Sequence, residues 1–205
     1  MLFMTVIPHV NAGLRRVPVW LVYMVGLIAP VVMFGLAATG NYGVEPIKAL
    51  EHELGELTLQ VMIFGLAITP LRKLLGLNLM KFRRAIGVLT FNLVFSHFLV
   101  WLVLDVQILS QVWADILKRP YVTVGFGALL LMLPLAITSN NWSVRKLGPR
   151  WRKLHKLVYP AVVLGGVHYV MLTKTWQLEP MIYLAVILAL LATRLPKRLP
   201  MLARG

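Results

Sequence analysis

Apolar residues in this chain gather into long, nearly uninterrupted stretches rather than alternating with polar ones, which is the pattern of helices whose whole circumference avoids water. Six stretches approach the roughly 20 residues needed to cross a bilayer: Val17–Ala38, Leu54–Leu71, Ala85–Leu104, Tyr121–Thr138, Leu157–Thr173 and Met181–Thr193. Turn residues separate them, as in Thr39-Gly40-Asn41-Tyr42-Gly43, Gly76-Leu77-Asn78 and Ser139-Asn140-Asn141. The last two stretches are short and rely on flanking aromatic and basic residues to reach the interface. The pattern predicts an all-α integral membrane protein, a six-helix transmembrane bundle forming one domain over residues 1–205. The first stretch follows Arg15-Arg16, as the core of a signal peptide would. It is longer than such a core, and Leu36-Ala37-Ala38 is a poor cleavage sequence, so a retained helix is expected.

Composition agrees with a lipid environment. Apolar residues make up 59% of the 205 and charged residues 14%, with a mean hydropathy of +0.79, which leaves too little polar surface to cover a water-soluble globule. The net charge of +14 would suggest nucleic acid in a soluble protein, but its distribution argues otherwise. Arg15, Arg16, Arg72, Lys73, Lys81, Arg83 and Arg84 fall in alternate connections, as do Arg145, Lys146, Arg150, Arg152, Lys153, Lys156, Arg194, Lys197, Arg198 and Arg204. The other connections hold only Lys48, Lys118, Arg119 and Lys174, with all seven acids. The positive-inside rule then makes both termini cytoplasmic and requires an even number of spans. The charge is read as topology, with the lipid bilayer as partner and no nucleic acid. Between two spans, Asp105–Arg119 carries a helical apolar period around Trp113 and predicts a connecting helix lying on the outer surface.

The chain has no cysteine, which excludes disulfides, iron–sulfur clusters, thiolate haem ligation and covalently attached haem. No phosphate-binding glycine loop, nucleophile elbow or His-Glu-x-x-His motif occurs either. That leaves five histidines, His9, His52, His97, His155 and His168. An ionisable group within a span costs roughly 2.5–3.5 kcal/mol on insertion scales, so His97 and His168 are functional candidates by default. At about 1.5 Å per residue they lie roughly 10 Å and 7 Å below the outer surface, at similar depth on two different helices. Two imidazoles so placed can serve as the two axial ligands of a b-type haem that carries electrons, and Gly165-Gly166 would let a flat ring or a neighbouring helix approach. A hydrogen-bonded or proton-conducting histidine pair in a haem-free transporter is the competing reading.

His155 precedes His168 by thirteen residues, roughly 19.5 Å on a straight helix, which brings it near the cytoplasmic face. An ideal helix would turn the two rings about 220° apart, although Pro160 can bend it. A second cofactor ligand and an interfacial histidine among Arg152, Lys153 and Lys156 both remain open for His155. At the matching depth on the third span stands Arg84, not histidine. His52, beside Glu51, Glu53 and Glu56, reads as a solvated face, and His9 carries no chemistry.

The run Arg145-Lys146-Leu147-Gly148-Pro149-Arg150-Trp151-Arg152-Lys153-Leu154-His155-Lys156-Leu157-Val158-Tyr159, followed by His168-Tyr169, resembles the signature of the MsrQ (YedZ) family within the ferric-reductase-like membrane proteins. Glu45-Pro46-Ile47-Lys48 with His52 and Gly55, Thr69-Pro70-Leu71-Arg72, Ser96-His97 and Arg119-Pro120-Tyr121 extend the resemblance over nearly the whole chain. It implies a six-helix bundle in the bacterial inner membrane that binds b-type haem and FMN. Such a subunit performs no substrate chemistry itself. It passes electrons from the quinone pool, or from a cytosolic flavin reductase, to a periplasmic molybdopterin subunit, MsrP, which reduces methionine sulfoxide in oxidised envelope proteins. By position the family's haem histidines fall on His97, His155 and His168. The FMN expectation rests on resemblance alone.

Overall fold

The structure is a computed structural model that describes residues 2–173 and 177–194, and every regular element among them is helical. Ten α-helices follow one another: α1 (Leu2–Arg16), α2 (Trp20–Ala38), α3 (Pro46–Pro70), α4 (Arg83–Val100), α5 (Leu109–Lys118), α6 (Pro120–Ile137), α7 (Asn141–Leu147), α8 (Pro149–Leu154), α9 (Val158–Leu172) and α10 (Leu178–Ala192). Single wide turns prolong α3 through Leu75 and α4 through Val106. Four of the resulting helices are long and apolar enough to cross a membrane: Trp20–Ala38, Pro46–Leu75, Met80–Val106 and Pro120–Ile137. Helices α9 and α10, 15 residues each, complete the bundle. α9 packs against α6, α10 and α3.

The helices follow the apolar stretches closely, with one large difference in length. α3 starts at Pro46, eight residues before the stretch that announced it, because hydropathy marks where a helix meets lipid and not where it begins. Pro46 occupies the first turn, where its missing N–H costs nothing, and the added turns carry Lys48, Glu51, His52 and Glu53. α1 was not anticipated. It is fastened to the α3–α4 connection through Asn11, whose Nδ2 donates to the Gly76 carbonyl at 3.0 Å while its Oδ1 accepts from Asn78 N–H at 2.9 Å. Lys81 Nζ donates to the carbonyls of Arg15 and Val17 at 2.9 and 2.7 Å, capping the negative end of α1.

These bonds, with Arg84 donating to Asn141 Oδ1 at 2.6 Å, gather three basic connections at one end of the bundle. Lys48, Glu51, Asp105, Arg119 and Tyr121 instead line a single cavity. Lys174, Lys197, Arg198 and Arg204 lie outside the described residues. The surface helix expected within Asp105–Arg119 is α5, which buries Val112 and Ile116 and exposes Leu109, Trp113 and Leu117. Close contacts between helices use small residues: Gly26 of α2 brings its backbone against Leu89 of α4 and its carbonyl accepts from Asn92. The main core lies between α3, α6, α9 and α10, around Leu59, Leu66, Met132, Ala161, Val162 and Ile187.

Candidate functional site

Two glycines four residues beyond an accepting carbonyl shape the site. His97, in the last turn of α4, donates Nδ1–H to the Glu51 carbonyl of α3 at 2.8 Å. Gly55 lies one helical turn further along α3, and a Cβ there would stand 3.2 Å from the His97 ring. The second half repeats the arrangement. His168 of α9 donates Nδ1–H to the Tyr121 carbonyl of α6 at 2.8 Å, and a Cβ at Gly125 would lie 2.8 Å from His168 Nδ1. In each case the missing side chain lets an imidazole reach a helix carbonyl that already has a backbone partner, using its second lone pair.

The electrostatic consequence is definite. A carbonyl can only accept, so Nδ1 carries the proton in both rings and Nε2 is left as the basic nitrogen. This is the tautomer that a metal-binding histidine adopts when its far nitrogen is held by a backbone oxygen. The ring centres are 6.3 Å apart and the planes are inclined at 76°. Metal–imidazole bonds run about 2.0–2.1 Å and a ring centre lies roughly 1.1 Å behind its nitrogen, so two rings sharing one metal in line stand about 6.3 Å apart. The separation of the pair equals that spacing. Among the described residues no group of three or more His, Asp or Glu is placed to hold a bare ion.

Both histidines line a cavity of about 350 Å³. Its deep part is apolar, with Leu59, Met62, Leu129, Met132 and Ala161, and Gly165 opens it further. Its mouth is charged, with Lys48, Glu51, His52, Asp105 and Arg119. The two glycines of α9 divide their work: Gly165 contributes to the cavity, whereas Gly166 admits Ile187 and Leu184 of α10. His52 lies at the mouth, edge-on to Tyr169 with ring centres 6.2 Å apart.

His155 is not with the other two. It begins a 3-10 turn, His155–Leu157, between α8 and α9, so the straight-helix phase between His155 and His168 does not hold. Pro160 sits in the first turn of α9, where it breaks no bond. Trp151 stacks on the imidazole with centres 3.8 Å apart and donates Nε1–H to the Thr138 carbonyl at 2.9 Å. The Thr138 hydroxyl gives its hydrogen to the Pro134 carbonyl at 2.6 Å and accepts from His155 Nε2–H at 3.0 Å. As arranged, His155 offers a metal only Nδ1. Burial, with Arg83 and then Arg84 nearby, lowers its pKa below the ordinary histidine value.

Comparison with known proteins gives the chain a family. The family described as ferric reductase like transmembrane component matches residues 54–166, a range that contains His97 and His155 and ends two residues before His168. A protein from Brucella anthropi named protein-methionine-sulfoxide reductase heme-binding subunit MsrQ is 46% identical over 178 residues, covering 86% of this chain and 81% of its own. Proteins of the same name from Brucella ovis and Brucella melitensis are 47% identical over 179 residues, covering 87% and 81%. The chain belongs to the MsrQ family. With its apolar helices, that membership makes it a multi-pass membrane protein. No solved structure matches it.

The structure brings His97 and His168 together, and the partners that pin them, the carbonyls of Glu51 and Tyr121 with Gly125 beside the second, were not among the residues singled out in the sequence. The available signal was a glycine four residues after the accepting residue near a helix end, which is weak because glycine is common in membrane helices.

Proposed function

We propose that this chain is the electron-transfer subunit of a methionine sulfoxide reductase system, carrying a b-type haem between His97 and His168. The observation that carries the reading is the histidine pair itself, two imidazoles 6.3 Å apart, each with Nδ1–H bound to a helix carbonyl. The relatives' printed name, heme-binding subunit MsrQ, supports it. A bound haem supplies a one-electron iron couple. His97 and His168 would hold it through their Nε2 atoms. The Glu51 and Tyr121 carbonyls hold both rings in the ligating tautomer, and the apolar wall around Met62 and Met132 keeps water from the deep part of the cavity.

The orientation that follows from charge puts the basic end and both termini in the cytoplasm, with six crossings of the inner membrane and the cavity mouth toward the periplasm. Electrons would enter from the quinone pool or a cytosolic flavin reductase and leave for the periplasmic molybdopterin partner, MsrP. His155, at the basic end, is the candidate for a second haem ligand, a role that would use Nδ1 or displace the Thr138 hydroxyl. FMN remains part of the family resemblance alone.

The rival is a haem-free transporter or proton-conducting bundle that uses the same histidines. A pyridine haemochrome spectrum of the purified chain, expressed with ample haem, separates the two. A haem stoichiometry near zero would sink the proposal. His97→Ala and His168→Ala should each abolish the haem they share, whereas His155→Ala should retain it.

A further inference from the structure

We propose that haem sits in this cavity with its two carboxylates toward the mouth, where Lys48 and Arg119 neutralise them. The inference rests on the haem reading above and adds the orientation of the ring and the residues that set it. A b-type haem is amphiphilic, with both carboxylates on one edge and methyl and vinyl groups elsewhere. The cavity is amphiphilic in the same sense, apolar around Leu59, Met62, Leu129 and Met132 and charged at Lys48, Glu51, Asp105 and Arg119. Carboxylates placed at the deep end would be buried without partners, at a cost far above that of any alternative orientation.

Among the described residues lining the cavity, Lys48 and Arg119 are the lysine and the arginine. They come from opposite walls. Lys48 stands on α3 three residues before Glu51, and Arg119 caps α6 two residues before Tyr121. Each wall therefore presents one carbonyl to an axial imidazole and one cation to the edge of the same ring. Both cations rest on acids of their own segment. Lys48 Nζ is 3.0 Å from Glu45, and Arg119 Nε is 3.2 Å from Asp115. Side chains this exposed, at 65% for Lys48 and 50% for Arg119, gain little from such pairs and can exchange them for a better-placed anion. Glu51, Glu56 and Asp105 also face the cavity, so loss of either cation would leave a haem carboxylate among carboxylates.

The test uses the full chain in lipid nanodiscs, loaded with haem or with haem dimethyl ester, whose carboxylates are uncharged. Release is followed by transfer to apomyoglobin and potential by redox titration. Lys48→Gln and Arg119→Gln should keep a six-coordinate haem spectrum yet release haem roughly tenfold faster, as expected for one charge-assisted hydrogen bond, and their midpoint potentials should fall. Lys118→Gln, outside the cavity lining, should do neither. With the dimethyl ester the differences between wild type and variants should vanish, and wild type should release the ester faster than haem, by a larger factor than either variant does. Equal release of haem and ester by wild type would overturn the orientation, and so would variant effects that persist with the ester. A wild-type chain that binds neither would instead overturn the haem reading itself.

Discussion

The imidazole planes of His97 and His168 stand at 76° to one another across a centre-to-centre gap of 6.3 Å. The angle is set from outside the pair, because each ring is pinned by its own Nδ1–H bond to a different helix. Axial imidazoles at right angles donate electron density to different iron d orbitals, which leaves those orbitals nearly equal in energy. The oxidised protein should therefore show a highly anisotropic low-spin signal in electron paramagnetic resonance, dominated by one low-field feature. A well-resolved rhombic spectrum would mean that the rings lie parallel and that these hydrogen bonds do not survive in the loaded protein.

The bundle was legible in the sequence because lipid imposes a length and a composition on each span, and the two buried histidines were legible because ionisable groups are costly there. What escaped was carried by backbone. The carbonyls of Glu51 and Tyr121 leave no trace in residue identity, and Gly125 has the same letter as glycines that do nothing comparable, such as Gly87, where a Cβ would meet nothing. α1 escaped because its fifteen residues, with Pro8 inside, are too few and too mixed to register as a span. The phase between His155 and His168 was left open for a related reason: a single 3-10 turn resets it.

The paired glycines make a ranked prediction. Alanine at 125 would put a Cβ 2.8 Å from His168 Nδ1, and alanine at 55 would put one 3.2 Å from the His97 ring. The first distance requires the ring to move and its bond to Tyr121 to break; the second asks for a few tenths of an ångström. Overpacking of this kind costs about 1–3 kcal/mol. Gly125→Ala should lose most of its haem, Gly55→Ala less, and Gly87→Ala none, measured as Soret absorbance per polypeptide. Full occupancy in Gly125→Ala would show that the carbonyl grip on His168 is dispensable.

Pro70 makes a separate prediction at the basic end of α3. Having no N–H, it leaves the Leu66 carbonyl without its usual donor one turn later. Arg194, just beyond α10, fills the gap: one guanidinium nitrogen donates to the Leu66 carbonyl at 2.6 Å, another to the Tyr159 hydroxyl at 3.2 Å, and the group lies over the Tyr159 ring. A single arginine thus ties α10 to both α3 and α9. Arg194→Leu should cost about 2 kcal/mol of stability, the range for a lost hydrogen bond from a charged donor. In a Pro70→Ala background the new backbone N–H serves the Leu66 carbonyl, so the same replacement should cost less, giving a coupling of roughly 0.5–3 kcal/mol. Thermal unfolding of the four proteins in one detergent measures it. Equal costs in the two backgrounds would show that Arg194 acts through Tyr159 alone.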